Sequence, residues 1–169
     1  FEQIVAYDNA KLSHSLILSG RWTSNAQATD IGLRTLRWLA KKQRAPEGHF
    51  RPIGSEGFYV RGQEAAQYDQ QPLEAQSMVS ASIEAYQATG DSYWIDQAHL
   101  AFEWFTGRND LGQPVCDAST GACFDGVHAD RANQNQGAES TLAYLLALAE
   151  MQLLENSLTP FRKPAPTAG

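Results

Sequence analysis

Apolar residues recur at steps of three and four along most of this chain, and no segment sustains an alternation of period two. Spacing of that kind lays a stripe along one side of a helix, whereas a half-buried strand would need every second residue apolar. The chain is therefore expected to be all-α, with no sheet supported. From Leu73 to Thr89 the stripe is Ala75, Met78, Val79, Ile83 and Tyr86, with Pro72 suited to the first turn and Gly90 as the stop. Asp91 reads as the N-cap of the next helix, whose stripe Trp94, Ala98, Ala101, Phe102 and Phe105 ends at Gly107. Ala138 to Glu155 carries Leu142, Leu145, Leu146, Ala149 and Leu153 as its expected buried stripe. Upstream, Asn9 to Ser19 carries Leu12, Leu16 and Ile17 before Gly20, and Thr29 to Arg44 carries Leu33, Leu36 and Leu39 before Pro46. Five main helices, A to E in chain order, follow from this pattern.

Composition narrows the class. With 43% hydrophobic and 19% charged residues, the 169-residue chain can bury a core as one domain over 1–156 and is not disordered. A Pro-rich, disordered tail is expected over 157–169, where Pro160, Pro164 and Pro166 fall and apolar residues nearly vanish after Phe161. The net charge of -6, with no Lys/Arg cluster, argues against nucleic acid and anionic lipid as partners. No apolar run reaches the roughly 20 residues of a membrane span, and Phe1 to Ala10 lacks the basic and apolar sections of a signal peptide. The chain thus reads as soluble, untargeted and cytoplasmic. It opens on Phe1 without an initiator Met, as a fragment or a processed product would. Cys116 and Cys123 are too few for a disulfide scaffold and lack zinc spacing, so two free thiols are expected ahead of a local loop disulfide, with a metal least favoured.

The links between helices are unequal. Ser19 to Asn25 and Thr89 to Asp91 are short, as hairpins require, whereas Ala45 to Gln71 and Gly107 to Gln136 are long. Both long links lie at the end where helices C and E begin, so one face of the molecule collects the unusual residues. Helix C opens Gln71-Pro72-Leu73-Glu74-Ala75 and helix E opens Gln136-Gly137-Ala138-Glu139-Ser140, a faint repeat of Gln-x-x-Glu-small. Carboxylates at such positions also stabilise a helix dipole by about 0.3–1 kcal/mol each, so the repeat alone does not establish catalysis.

The long links are rich in amides, carboxylates, Arg and His beside aromatics. That mixture suits a polyhydroxylated ligand, with paired donors and acceptors for hydroxyls and flat apolar faces for the C–H side of a sugar ring. Glu139, Glu74, Asp69 and Asp125 are the candidate catalytic carboxyls, with Asp130 in reserve, because glycoside hydrolysis usually employs a proton donor paired with a base or nucleophile. His49, Phe50, Arg51, Gln71, His128, Asn135 and Gln136 are the candidate ligand-binding residues. His49 and His128 could instead shuttle protons at a sugar carbon or hold loop backbone. Arg51 and Arg108 could equally hold Asp69 or Asp110, and Phe50, Tyr59 and Phe124 are the loop aromatics suited to stacking. Trp94, Trp104, Phe102 and Phe105 are expected in the core. His128 and Asp130 have no further partner at metal-ligand spacing, so neither a metal nor a cofactor is expected.

The runs DQQPLEA, GRNDLG, CFDGVHAD and NQNQGAESTLAYLLALAEM resemble the C-terminal part of an (α/α) six-hairpin glycosidase-like domain of bacteria, including versions joined to a family 4 (formerly family 1) retaining glycosyltransferase. The likeness spans about Ile4 to Leu154, and its last run is the most specific. It implies a toroid of alternating helices, with A, C and E inner, B and D outer, and a carbohydrate cleft where the inner helices begin. A full toroid has twelve helices and this chain supplies five. The resemblance therefore implies the last part of a larger domain, a glycosyltransferase module in the same longer chain, or self-association through an open edge. The expected function is glycan binding, hydrolysis or transfer, with a non-catalytic accessory domain as the alternative.

Overall fold

The computed structural model describes residues 2–159. Five helices, α1 (Ala10–Trp22), α2 (Ala26–Lys42), α3 (Pro72–Thr89), α4 (Tyr93–Glu103) and α5 (Ala138–Leu158), make the fold all-α. Two ladders of two residues each accompany them: β1 (Ile4–Val5) pairs antiparallel with β2 (Tyr59–Val60), and β3 (Gly126–Val127) with β4 (Ala132–Asn133). Such ladders are too short to show a period of two, which is why the sequence pattern supports no sheet.

α3 lies in the middle of one layer, with α1 packed on one side and α5 on the other. α2 covers α1, and α4 covers α3. The central position explains the burial of α3, where even Glu74, Gln76, Ser77, Ser80, Ser82 and Glu84 are enclosed. Pro72 stands in its first turn, and Gly90 ends it with a left-handed φ of 70°. The N-cap of α4 falls on Ser92, one residue after the expected Asp91, and the Asp91 carboxylate accepts the Tyr93 N–H at 3.0 Å from the turn ahead of it.

Helix boundaries shift where tertiary contact overrides local signals. Gly20 was expected to stop helix A, yet α1 runs through it to Trp22. A Cβ at Gly20 would stand 2.4 Å from Thr29 Oγ1, and one at Gly32 would stand 2.7 Å from the Ile17 side chain. The two glycines thus let the α1 and α2 backbones approach closely, so Gly20 marks a helix crossing rather than an end. α2 starts before Thr29 because the Asn25 side chain caps it, accepting the Ala28 N–H at 3.1 Å. α4 is regular only to Glu103, and Trp104 and Phe105 reach the core from the turns that follow. The expected tail is helical through Leu158, and its remainder over 160–169 lies outside the described residues.

The largest correction concerns α5. Its buried side is Ser140, Ala143, Tyr144, Ala147, Met151 and Leu154, the side opposite to the stripe expected from the leucines. Leu142, Leu146 and Leu153 are 58%, 53% and 70% exposed. α5 is apolar nearly all round, so periodicity offers two stripes, and the small Ala143 and Ala147 admit α3 more closely than the leucines would. α1 shows the same at its outer side: Leu12 was expected in the core but is exposed, as is Trp22 at 84%. Leu153→Gln is accordingly expected to change unfolding free energy by no more than about 0.5 kcal/mol, whereas Leu154→Ala costs about 2–5 kcal/mol in urea denaturation of the same chain.

Candidate functional site

Helices α1, α3 and α5 begin at one end of their shared layer, and Tyr7 and Asp8, just ahead of the Asn9 N-cap of α1, tie the three starts together. The Asp8 N–H donates to Glu74 Oε1 at 2.5 Å, in the first turn of α3. The Tyr7 hydroxyl donates to both Glu139 oxygens, at 3.1 and 3.0 Å, in the first turn of α5. Glu74 and Glu139 therefore share a rim, with Tyr7 and Asp8 between them. Three positive helix ends at one rim favour carboxylates there.

The two glutamates differ in surroundings. Glu74 is buried, and burial raises its carboxyl to about 7 against the help of backbone N–H groups, with Asp8 adding like-charge repulsion. Asp8 is itself raised, first by burial. Among the described residues the buried oxygens Glu74 Oε2 and Asp8 Oδ1 lack hydrogen-bond partners. Glu139 stands at the surface. The Tyr7 hydroxyl is pushed up to about 12 by burial and by the neighbouring Glu139 carboxylate.

Asp125 anchors the start of α5. It accepts the Gly137 N–H at 2.7 Å and the Asn135 side-chain amide, while its own N–H donates to Asn135 O at 2.9 Å. Burial pushes this carboxyl up, but bonds from Ser140, Gly137 and Asn135 outweigh that and leave it below the usual range. A Cβ at Gly137 would come within 2.8 Å of Asp125 Oδ1, so the glycine makes the cap possible. Gln136 and Asn135 lie at the surface beside this cap. Gln71 is half-buried at the N-cap of α3 and makes no side-chain capping bond.

Asp69 and His128 are brought together by the two long connections. Gln70 and Val127 exchange both backbone hydrogen bonds, at 3.0 and 2.9 Å, so their neighbours Asp69 and His128 fall opposite one another. His128 Nδ1 is 3.3 Å from Asp69 Oδ1, with both side chains partly exposed. Burial raises the Asp69 carboxyl, and His128 opposes the shift. Gly126 is required at this junction, since a Cβ there would stand 2.4 Å from Gln70 O.

Three expected ligand residues go elsewhere. Arg51 donates to Asp110 from Nε and Nη2, at 2.7 and 2.6 Å, and His49 Nε2 is 2.8 Å from the same carboxylate. Gln70 adds its amide, and its own oxygen accepts from Trp104 Nε1 at 2.8 Å. Burial would push Asp110 up, but these bonds and the Arg51 charge hold it below the ordinary carboxylate range. His49 and Arg51 therefore fasten one long connection to the other. Phe50 is in the core, Tyr59 is buried with its ring against Trp38 and Lys42, and Phe124 is half-buried against the same core. Arg108 pairs with Glu103 at 2.6 Å, and Asp130 pairs with Arg131 at the surface.

Tyr7 and Asp8 are the rim residues that sequence reasoning missed. Their signal lay in the same rule that singled out the other starts: whatever precedes helix A must lie at the end where C and E begin. Among the described residues no group of three or more His, Cys, Asp or Glu is placed to hold a metal, and no helix is long and apolar enough to cross a membrane. No protein-family model matches the chain, and no curated protein matches it.

The raised Glu74 carboxyl gives a pH signature with a definite sign. Between about 4.5 and 7 the folded chain holds a proton that the unfolded chain has released, so stability falls as pH rises through that window, by on the order of 3 kcal/mol. Glu74→Gln is expected to flatten this arm in urea titrations. The depressed Asp110 acts oppositely: its contribution is present above the ordinary aspartate range and is lost as pH falls through its lowered value. Asp110→Asn leaves Arg51 only the longer contact to Glu47 at 3.7 Å and is expected to cost about 3 kcal/mol at neutral pH by the same measurement.

Proposed function

We propose that this chain is a carbohydrate-active helical module of the six-hairpin glycosidase-like kind, a partial toroid that binds its glycan across the rim where α1, α3 and α5 begin. The observation that carries the reading is the meeting of Glu74 and Glu139 around Tyr7 and Asp8, one carboxyl protonated near neutral pH and the other open to solvent. A glycosidase divides its work between a carboxylic acid of raised pKa and a second, ionised carboxylate. Glu74 suits the acid role by protonation, and Glu139, oriented by Tyr7, is the carboxylate placed to meet a ligand. Asp69 with His128, and Asp125 with Asn135, supply further polar groups from the two long connections.

The partial-toroid reading draws support from the layer of α1, α3 and α5 backed by α2 and α4, and from the exposed leucines at both outer sides of that layer. Neighbouring hairpins of a longer chain, or another copy of this one, would cover those sides. A second reading, a non-catalytic accessory domain of a glycosyltransferase, is favoured by one observation: Glu74 is enclosed and already accepts the Asp8 N–H at the start of α1.

A glycan-binding and hydrolysis screen on this chain, beside Glu74→Gln and Glu139→Gln, separates the readings. The catalytic reading expects hydrolysis to fall by at least about 100-fold in both variants while binding persists. Binding without hydrolysis in all three proteins favours the accessory domain. Neither binding nor hydrolysis, with the fold intact by circular dichroism, overturns the carbohydrate reading.

A further inference from the structure

Cys116 and Cys123 face each other across an isolated antiparallel bridge, and both are free thiols. Asp117 N–H donates to Ala122 O at 2.9 Å, and Phe124 N–H donates to Val115 O at 2.8 Å. The bonds thus come from residues on either side of the cysteines and none joins the cysteines themselves, which defines a non-hydrogen-bonded pair. At such a pair the Cα atoms lie about 4.5 Å apart with the side chains on one face. Disulfides span Cα separations of about 4.4–6.8 Å, so the backbone already stands where a bond can form. The turn between the two is itself braced, with Asp117 accepting from the Ser119 N–H and hydroxyl at 2.8 and 2.6 Å.

We propose that Cys116 and Cys123 form a reversible redox site that closes to an intrachain disulfide on exchange with a small-molecule disulfide of the glutathione class. Cys116 is part-exposed and Cys123 is buried, which sets the order of events. The Cys116 thiolate attacks glutathione disulfide, forming a mixed disulfide and releasing one glutathione thiolate. Cys123 then gives up its proton, attacks the Cys116 sulfur and expels the second glutathione. The protein gives up two protons and two electrons, and one glutathione disulfide becomes two thiols. Burial raises the Cys116 thiol and pushes Cys123 up to about 12, which limits the thiolate available at both positions.

The bond would act on the candidate site through the chain that follows it. Cys123 N–H lies 3.4 Å from Thr141 Oγ1 in the first turn of α5, and Asp125, two residues on, holds the Gly137 N–H. Closing the pair therefore stiffens the connection that caps α5 at the rim. The pairing of the two cysteines is set by the backbone bridge, whether or not the rim binds a glycan.

The test incubates the native chain with glutathione disulfide, quenches, unfolds and alkylates it, and then measures intact mass and tryptic peptides. Wild type is expected to lose two hydrogens, take up no alkylating agent and yield a Cys116–Cys123 linked peptide, all reversed by dithiothreitol. Closing so short a loop should raise the melting temperature by roughly 5 °C. Cys123→Ser, which retains the more accessible thiol, should instead accumulate a glutathione adduct on Cys116, and the double serine variant should show no oxidant-dependent shift. Two alkylated thiols, a persistent glutathione adduct on wild type, or a disulfide-linked dimer would each overturn the proposal.

Discussion

Enclosure of α3 is the constraint on which the rest of the structure depends. A helix packed on by α1 and α5 at its sides and by α4 behind has almost no outlet to water, so its polar residues must find partners inside. Two of them reach the flanking helices of the same layer: Glu84 pairs with Arg21 of α1, and Ser80 donates to Glu150 of α5 at 2.6 Å. At the start of the helix the same pressure encloses Glu74, whose partner is the backbone N–H of Asp8. The upward shift of the Glu74 carboxyl thus follows from the position of its helix in the layer, as well as from the residues beside it.

A second device holds the two long connections in register. The Gln70–Val127 bridge joins them through backbone, and Asp110 joins them through side chains, receiving His49, Arg51 and Gln70 at once. Around it, Asn109 donates to the carbonyls of Trp104 and Gln113 at 2.8 and 2.9 Å, which folds the GRNDLG run back on the end of α4. Long connections without regular structure lose much conformational entropy when ordered. Ion pairs, shared amides and buried aromatics such as Phe50 and Tyr59 supply the compensation. Residues that look like ligand-binding chemistry in a linear reading can therefore be what makes a long loop rigid.

Much of the architecture was legible in the chain itself. Period, Pro72, Gly90 and Asp91 located α3 and the turn into α4, because these signals act within a few residues. The rim carboxylates Glu74 and Glu139 were legible from their repeated place at helix starts. The roles of His49, Phe50 and Arg51 were not, since Asp110 is remote from them in sequence and nothing local records the pairing. Tyr7 escaped notice because it stands in no motif, although the common direction of α1, α3 and α5 already placed its segment at the rim.

Sequence alone determined the helical class, the hairpin rhythm and the crowding of polar residues into two connections, since each depends on spacing and turn chemistry over short range. Tertiary structure decided which face of α5 is buried, whether Gly20 ends a helix or lets two helices touch, and which charged residues serve the fold rather than the surface. Those outcomes turn on packing and pairing between residues far apart in the chain. An apolar helix such as α5 carries two faces of nearly equal attraction, and only the neighbour that arrives selects between them.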